Sequence, residues 1–203
     1  MSSAQFMDVG AETVALESFT PTGDDTSDNV MIQTLDAYGR EVATYQWINW
    51  AGDSGNQEAW VDGDYAIVEG VTFPAGQGLW IQASSGDQGM QTAGKVPVQD
   101  VSVSLCAGFT AAGNPYPVAV NLQDILAEGD DVSDNVMIQT LDAYGREVAT
   151  YQWINWAGDS GNQEAWVDGD YAIVEGVSFP AGKGLWIQGS SSTQSVRFPA
   201  PEL

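Results

Sequence analysis

The chain has 203 residues, of which 5 are basic and 28 acidic, for a formal net charge of −23. It contains no His and one Cys, which excludes Ser-His-Asp and Cys-His catalysis, most zinc sites and an intrachain disulfide. Nucleic acid and anionic membranes are poor partner candidates, because their phosphates ask for Lys and Arg, and neither nucleic-acid binding nor membrane insertion is expected.

Apolar residues make up 43% of the chain, enough for a core, and 23 Gly and 8 Pro sit largely in short clusters between apolar stretches. Short strands separated by turns are the expected result. Met1-Ser-Ser-Ala-Gln-Phe6 has neither the basic region nor the apolar run of a signal peptide, and no stretch is apolar for long enough to span a membrane. Leu16-Glu-Ser-Phe19 is expected to form a short helical turn. Asn29–Leu35 and Glu41–Ile48 read as a hairpin around the turn Asp36-Ala-Tyr-Gly39. Alternation puts Ala43, Tyr45 and Trp47 on one face of the second strand and Val42, Thr44, Gln46 and Ile48 on the other.

Trp50–Gln57 follows as a polar loop, and then Glu58–Val61 as a strand. Asp62-Gly-Asp64 reads as a tight turn before strands at Tyr65–Val68 and Val71–Phe73. After the Pro74–Gly78 break, Gly78–Gln82 is a strand with Leu79 and Ile81 on one face and Trp80 and Gln82 on the other.

From there the sequence begins again. Ser27–Val71 recurs without change at Ser133–Val177, an offset of 133 − 27 = 106, and near-identity continues through 27–85 and 133–191. A period this long means two copies of a domain rather than a solenoid of small units. The fold class is therefore all-β, two tandem copies of a small antiparallel sandwich or barrel, with domains at 1–96 and 97–203 and the junction in Gly94–Asp100. Val101–Cys106 alternates like a strand, with Cys106 as small apolar filler, yet the first copy has no matching segment. Either the first copy lacks a strand, or Val101–Cys106 belongs to it. Asn121–Leu126 in the second copy is the counterpart of the helical turn near Leu16.

Catalysis is not expected. Asp62 with Asp64, or Asp53 with Glu58, pair carboxylates, but acids in Gly-rich loops are usually turn formers. The same residue type makes calcium the metal to consider, on Asp53, Asp62 and Asp64 and their repeats Asp159, Asp168 and Asp170. The spacing is not that of an EF-hand, and no cofactor is expected. Each copy carries four Trp, and an exposed Trp ring stacks on a sugar while nearby amides bond its hydroxyls. Trp50, Trp60 and Asn56, with Trp156, Trp166 and Asn162, are the candidate ligand residues.

Gly108-Phe-Thr-Ala-Ala-Gly-Asn-Pro-Tyr-Pro117 and the later Pro180-Ala-Gly-Lys-Gly-Leu-Trp-Ile-Gln188 resemble the paired segments of uncharacterised tandem β-modules in bacterial secreted or surface-associated proteins. The first copy keeps Pro74-Ala-Gly-Gln-Gly-Leu-Trp80 but has Asp8-Val-Gly10 in place of Asn114-Pro-Tyr116. The resemblance implies an extracellular or cell-surface setting and no catalytic residues. The expected function is a structural or interaction module that associates with itself, in a surface layer, filament or virus-like particle. The alternative is a carbohydrate-binding module whose partner is a glycan.

Overall fold

The computed structural model describes residues 3–8, 13–52, 55–84, 88–92, 95–142, 144–158 and 161–201, with the backbone alone for 3–8, 51–52, 55–56, 157–158 and 161–162. The described residues are all-β, with two single-turn 3-10 helices at Leu16–Ser18 and Leu122–Asp124. The first copy of the repeat contributes β1 (Ser3–Asp8), β2 (Thr13–Ala15), β3 (Phe19–Thr22), β4 (Val30–Leu35), β5 (Glu41–Gly52), β6 (Gly55–Val61), β7 (Thr72–Pro74), β8 (Gly78–Ala83) and β9 (Gly89–Thr92). The second contributes β10 (Val101–Ser104), β11 (Gly108–Gly113), β12 (Val120–Asn121), β13 (Leu126–Glu128), β14 (Met137–Leu141), β15 (Glu147–Gly158), β16 (Gly161–Val167), β17 (Ser178–Phe179), β18 (Gly184–Gly189) and β19 (Ser195–Phe198).

The repeated sequence builds the same antiparallel sheet twice. One runs β1-β8-β4-β5-β6 and the other β11-β18-β14-β15-β16. β2 pairs with β7 and β12 with β17 in matching registers. Each copy buries its own apolar cluster, one from Val14 to Ile81 and the other from Val103 to Phe198. At the centre of each, two Trp from neighbouring strands meet edge to face, Trp47 on Trp60 and Trp153 on Trp166, with ring centroids 5.3 and 5.2 Å apart.

Trp47 thus faces the core, and Ile48, on the other face of the same strand, is also buried. The reason lies in the matching half, where Ile154 joins Ala165 and Val167 in a small cluster on the far side of the sheet. In each copy the chain after β6 folds back, with Val61 bridging to Ile67 and Val167 to Ile173. The expected strand at Tyr65–Val68 is reduced to that bridge. Tyr65 takes a φ of +61° and Tyr171 one of +60°, which no strand accommodates. The expected polar loop over Trp50–Gln57 is instead the end of a long hairpin, paired down to Gly52 opposite Gly55.

The two copies differ where their sequences diverge. Ser3 lies opposite Ala83, and Gly108 opposite Gly189, so β1 matches β11 at an offset of 108 − 3 = 105. Val14 opposite Phe73 and Val120 opposite Phe179 restore the offset of 106. The first copy is therefore one residue shorter between these strands. β10 pairs with β19 of the second copy, which also pairs with β13. Its counterpart β9 pairs with β3 alone among the described residues. Of the two sequence alternatives, the structure assigns Val101–Ser104 to the second copy.

Residues of the second copy clamp that strand. Arg197 bridges Glu128 at 2.6 Å and Asp100 at 2.5 Å. The Tyr116 hydroxyl donates to the Gln99 carbonyl at 2.7 Å, and Phe198 is fully buried beneath. In the first copy Gln91 stands in place of Arg197 and an exposed Thr92 in place of Phe198. The side chains that hold β10 in the second copy thus have no counterparts on β9.

Candidate functional site

The contact between the two copies is reciprocal. Leu79 and Ile81 of β8 point into the core, so the intervening Trp80 points out of the opposite face of the sheet. β18 does the same with Leu185, Ile187 and Trp186. Gln33 lies opposite Trp80 in the ladder, and Gln139 opposite Trp186. Each copy therefore presents a Gln–Trp pair on its outer face.

Across from each pair stands the β-hairpin tip of the other copy. In the tip before Gly39, Asp36 Oδ1 accepts from the Tyr38 and Arg40 amides at 2.8 and 2.9 Å, and Oδ2 accepts from the Arg40 guanidinium. The Arg40 guanidinium, as hydrogen-bond donor and positive charge, holds the Asp36 carboxyl below its usual value. The same bonds recur at Asp142 and Arg146. Gly39 completes the tip at a φ of +74° and lies so near Trp186 that an added Cβ would stand 2.9 Å from the ring. Gly145 does the same to Trp80, also at 2.9 Å. Residue i touches j + 106 while i + 106 touches j, the signature of an approximate two-fold axis between the copies. The Phe109 amide adds a hydrogen bond to the Ala37 carbonyl at 2.8 Å. Gly78 comes close to the backbone of Ala112, where an added Cβ would lie 2.6 Å from its nitrogen.

The faces do not close completely. Between them is a cleft of about 450 Å³ lined by matching residues from the two copies. Trp80 and Trp186, Leu35 and Leu141, and Gly39 and Gly145 form its apolar walls. Gln33 and Gln139, with Glu41 and Glu147, bring the polar groups. Gln33 Nε2 donates to Glu41 Oε2 at 2.9 Å and to Thr44 Oγ1 at 3.0 Å. Gln139 Nε2 donates to Glu147 Oε2 at 3.1 Å. A carboxylate accepts through two oxygens, and the amide bond uses one of them.

Phe109 lines the cleft on the Trp186 side. It stacks on Trp186 with centroids 5.4 Å apart and planes 19° from parallel, and the ladder aligns it with Ala4 of the first copy. The cleft holds aromatic faces and hydrogen-bond acceptors, and among the described residues no cation lines it.

The residues selected from sequence lie elsewhere. Trp60 and Trp166 are 2% and 0% exposed, and their Nε1 groups donate to the Phe19 and Ile125 carbonyls at 3.0 and 2.8 Å. This corrects their place among the candidate ligand residues, since neither can offer a ring face to a sugar. Trp50 and Trp156 are 40% and 39% exposed near the hairpin ends, opposite Gln57 and Gln163. Asn56 and Asn162 pair with Ala51 and Ala157 along the backbone, and their side chains lie outside the described residues.

Asp53 and Asp159 also lie outside the described residues. Asp62 and Asp168 tie turns, each accepting two backbone amides, which include those of Asp64 and Asp170. Among the described residues, no three His, Cys, Asp or Glu stand close enough to share an ion.

Sequence reasoning missed Trp80 and Trp186 as site residues, although the signal was present. A Trp flanked by two core residues on a strand must point away from that core, and so large an apolar ring then needs other cover. No protein-family model, curated protein or solved structure matches the chain.

Proposed function

We propose that the protein is a non-catalytic interaction module built from two tandem β-sandwich units, residues 1–96 and 97–203, and that the cleft between them binds a carbohydrate. The separate buried clusters support the two-unit reading. The observation that carries the binding reading is Trp80 and Trp186 lining one cleft with amides and carboxylates beside them. Aromatic faces stack on the apolar side of a pyranose, and the Gln and Glu oxygens accept from its hydroxyls. The test is a glycan array on the intact protein, followed by titration of hits against Trp80→Ala and Trp186→Ala. Binding should fall about tenfold or more in either variant. Retained binding in both, or no binding to any glycan, overturns the reading.

A second reading is self-assembly through the open side of β9, which pairs with β3 alone among the described residues. An uncovered strand edge accepts a strand from another chain. The edge is short and polar, Gly89-Met-Gln-Thr92, and lacks the clamp that holds β10, so the cleft is the stronger candidate. Light scattering at high concentration in salt decides the point. Salt-dependent oligomers support assembly, and a monomer throughout removes it.

A further inference from the structure

We propose that the cleft selects sugars carrying a protonated amine, the amino sugars, over neutral or acidic ones. This deepens the binding reading above and rests on it. Glu41 and Glu147 line the cleft, and each accepts from a neutral amide, Gln33 or Gln139, with no ion pair to either among the described residues. The amides fix the carboxylates in place without cancelling their charge. An ammonium group supplies what is missing, bonding to carboxylate oxygen and resting against a Trp face. The chain as a whole acts in the same sense. With 28 acidic residues against 5 basic ones, it repels uronates and sulfated sugars and draws cations inward. Three of the five basic residues, Arg40, Arg146 and Arg197, are engaged in ion pairs.

The two halves are not equal. Lys183 Nζ donates to the Leu141 carbonyl at 3.3 Å, and Leu141 lies opposite Glu147 in the ladder. The corresponding residue in the first copy is Gln77, which is neutral. Lys183 therefore offsets the charge at the Glu147 end, and the amine belongs at the Glu41 and Trp80 end.

The experiment is calorimetric titration of the whole protein with three β-1,4-linked trisaccharides, the trimer of glucosamine, its N-acetylated form and cellotriose. At low salt the glucosamine trimer should bind at least tenfold more tightly than the other two. That preference should shrink as salt rises and disappear above the pKa of its amines. Glu41→Gln should remove most of the preference and Glu147→Gln less, while Glu69→Gln with Glu175→Gln, on exposed turns outside the cleft, should leave it intact.

If cellotriose binds as tightly as the amine and Glu41→Gln changes nothing, while Trp80→Ala still abolishes binding, the amine inference falls and the carbohydrate reading stands. If the amine binds but the two distant variants weaken it as much as Glu41→Gln does, the attraction is a diffuse field and the inference is overturned. If no trisaccharide binds, both readings fall for these sugars.

Discussion

Trp153 and Trp166 form one edge-to-face pair in one core, yet replacing each by Phe should have different costs. Both rings are essentially buried, at 2% and 0% exposure. Trp166 Nε1 donates to the Ile125 carbonyl at 2.8 Å, whereas Trp153 Nε1 is buried with no partner. Either substitution shrinks an indole to a phenyl ring and costs on the order of 1–3 kcal/mol in lost packing. Trp166→Phe also leaves the Ile125 carbonyl without that donor, a further cost of about 1–3 kcal/mol. Trp153→Phe removes an unpaired buried donor and recovers a similar amount. The two variants should therefore differ by about 2–6 kcal/mol, with Trp166→Phe the less stable. Urea unfolding followed by far-ultraviolet circular dichroism resolves this, since 2 kcal/mol moves the midpoint by about 1 M at an ordinary urea dependence. Equal destabilisation, or a larger loss in Trp153→Phe, would show that the indole hydrogen bond does not govern this core.

Other consequences are as direct. Tyr65→Asn with Tyr171→Asn should raise the melting temperature by several degrees, because each Tyr holds a left-handed backbone that costs a bulky residue about 1 kcal/mol more than Asn. A lower melting temperature would refute this. Gly78→Val should cost about 1–3 kcal/mol, since its side chain meets the Ala112 backbone, and an unchanged urea midpoint would show that the copies do not pack through this contact.

Stability at neutral pH should rise with added salt and on acidification toward about pH 5, as repulsion among 28 acidic residues is relieved. Asp36, Asp100 and Asp142 act in the opposite direction at lower pH. Asp36 and Asp142 are held below the ordinary 3.8 chiefly by hydrogen bonds from Arg40 and Arg146. Asp100 is held down first by the Ala200 amide and then by Arg197. A lowered folded pKa stabilises above the unfolded value and is lost as pH falls through the folded one, so stability should drop below about pH 3.8. A thermal scan across pH that falls steadily from 7 downward would contradict the first half of this account.

Much of the architecture is local and was legible in the sequence. The identical blocks require identical strands, the alternation of Leu79, Trp80 and Ile81 sets their faces, and Leu16 and Leu122 begin the expected short turns. Two local expectations failed where cross-strand pairing prevailed over composition. The Gly and Asn residues described after Trp50 belong to paired strands because the partner strand continues beside them, and Tyr65–Val68 is turned out of a strand by the backbone at Tyr65.

Other questions depended on which elements meet in space. Alternation could divide Trp47 from Ile48 but could not say that both faces of that strand are buried, because burial of the second face depends on packing that strand periodicity does not encode. Ownership of Val101–Ser104 was settled by Val196 and Phe198, more than ninety residues along the chain. The cleft is the clearest case. Each copy by itself supplies an outward Trp, a Gln and a Glu on a sheet face, and repetition in sequence carries no information about how two faces meet. Only the packing of Gly39 on Trp186 and Gly145 on Trp80 brings the two sets together around one space.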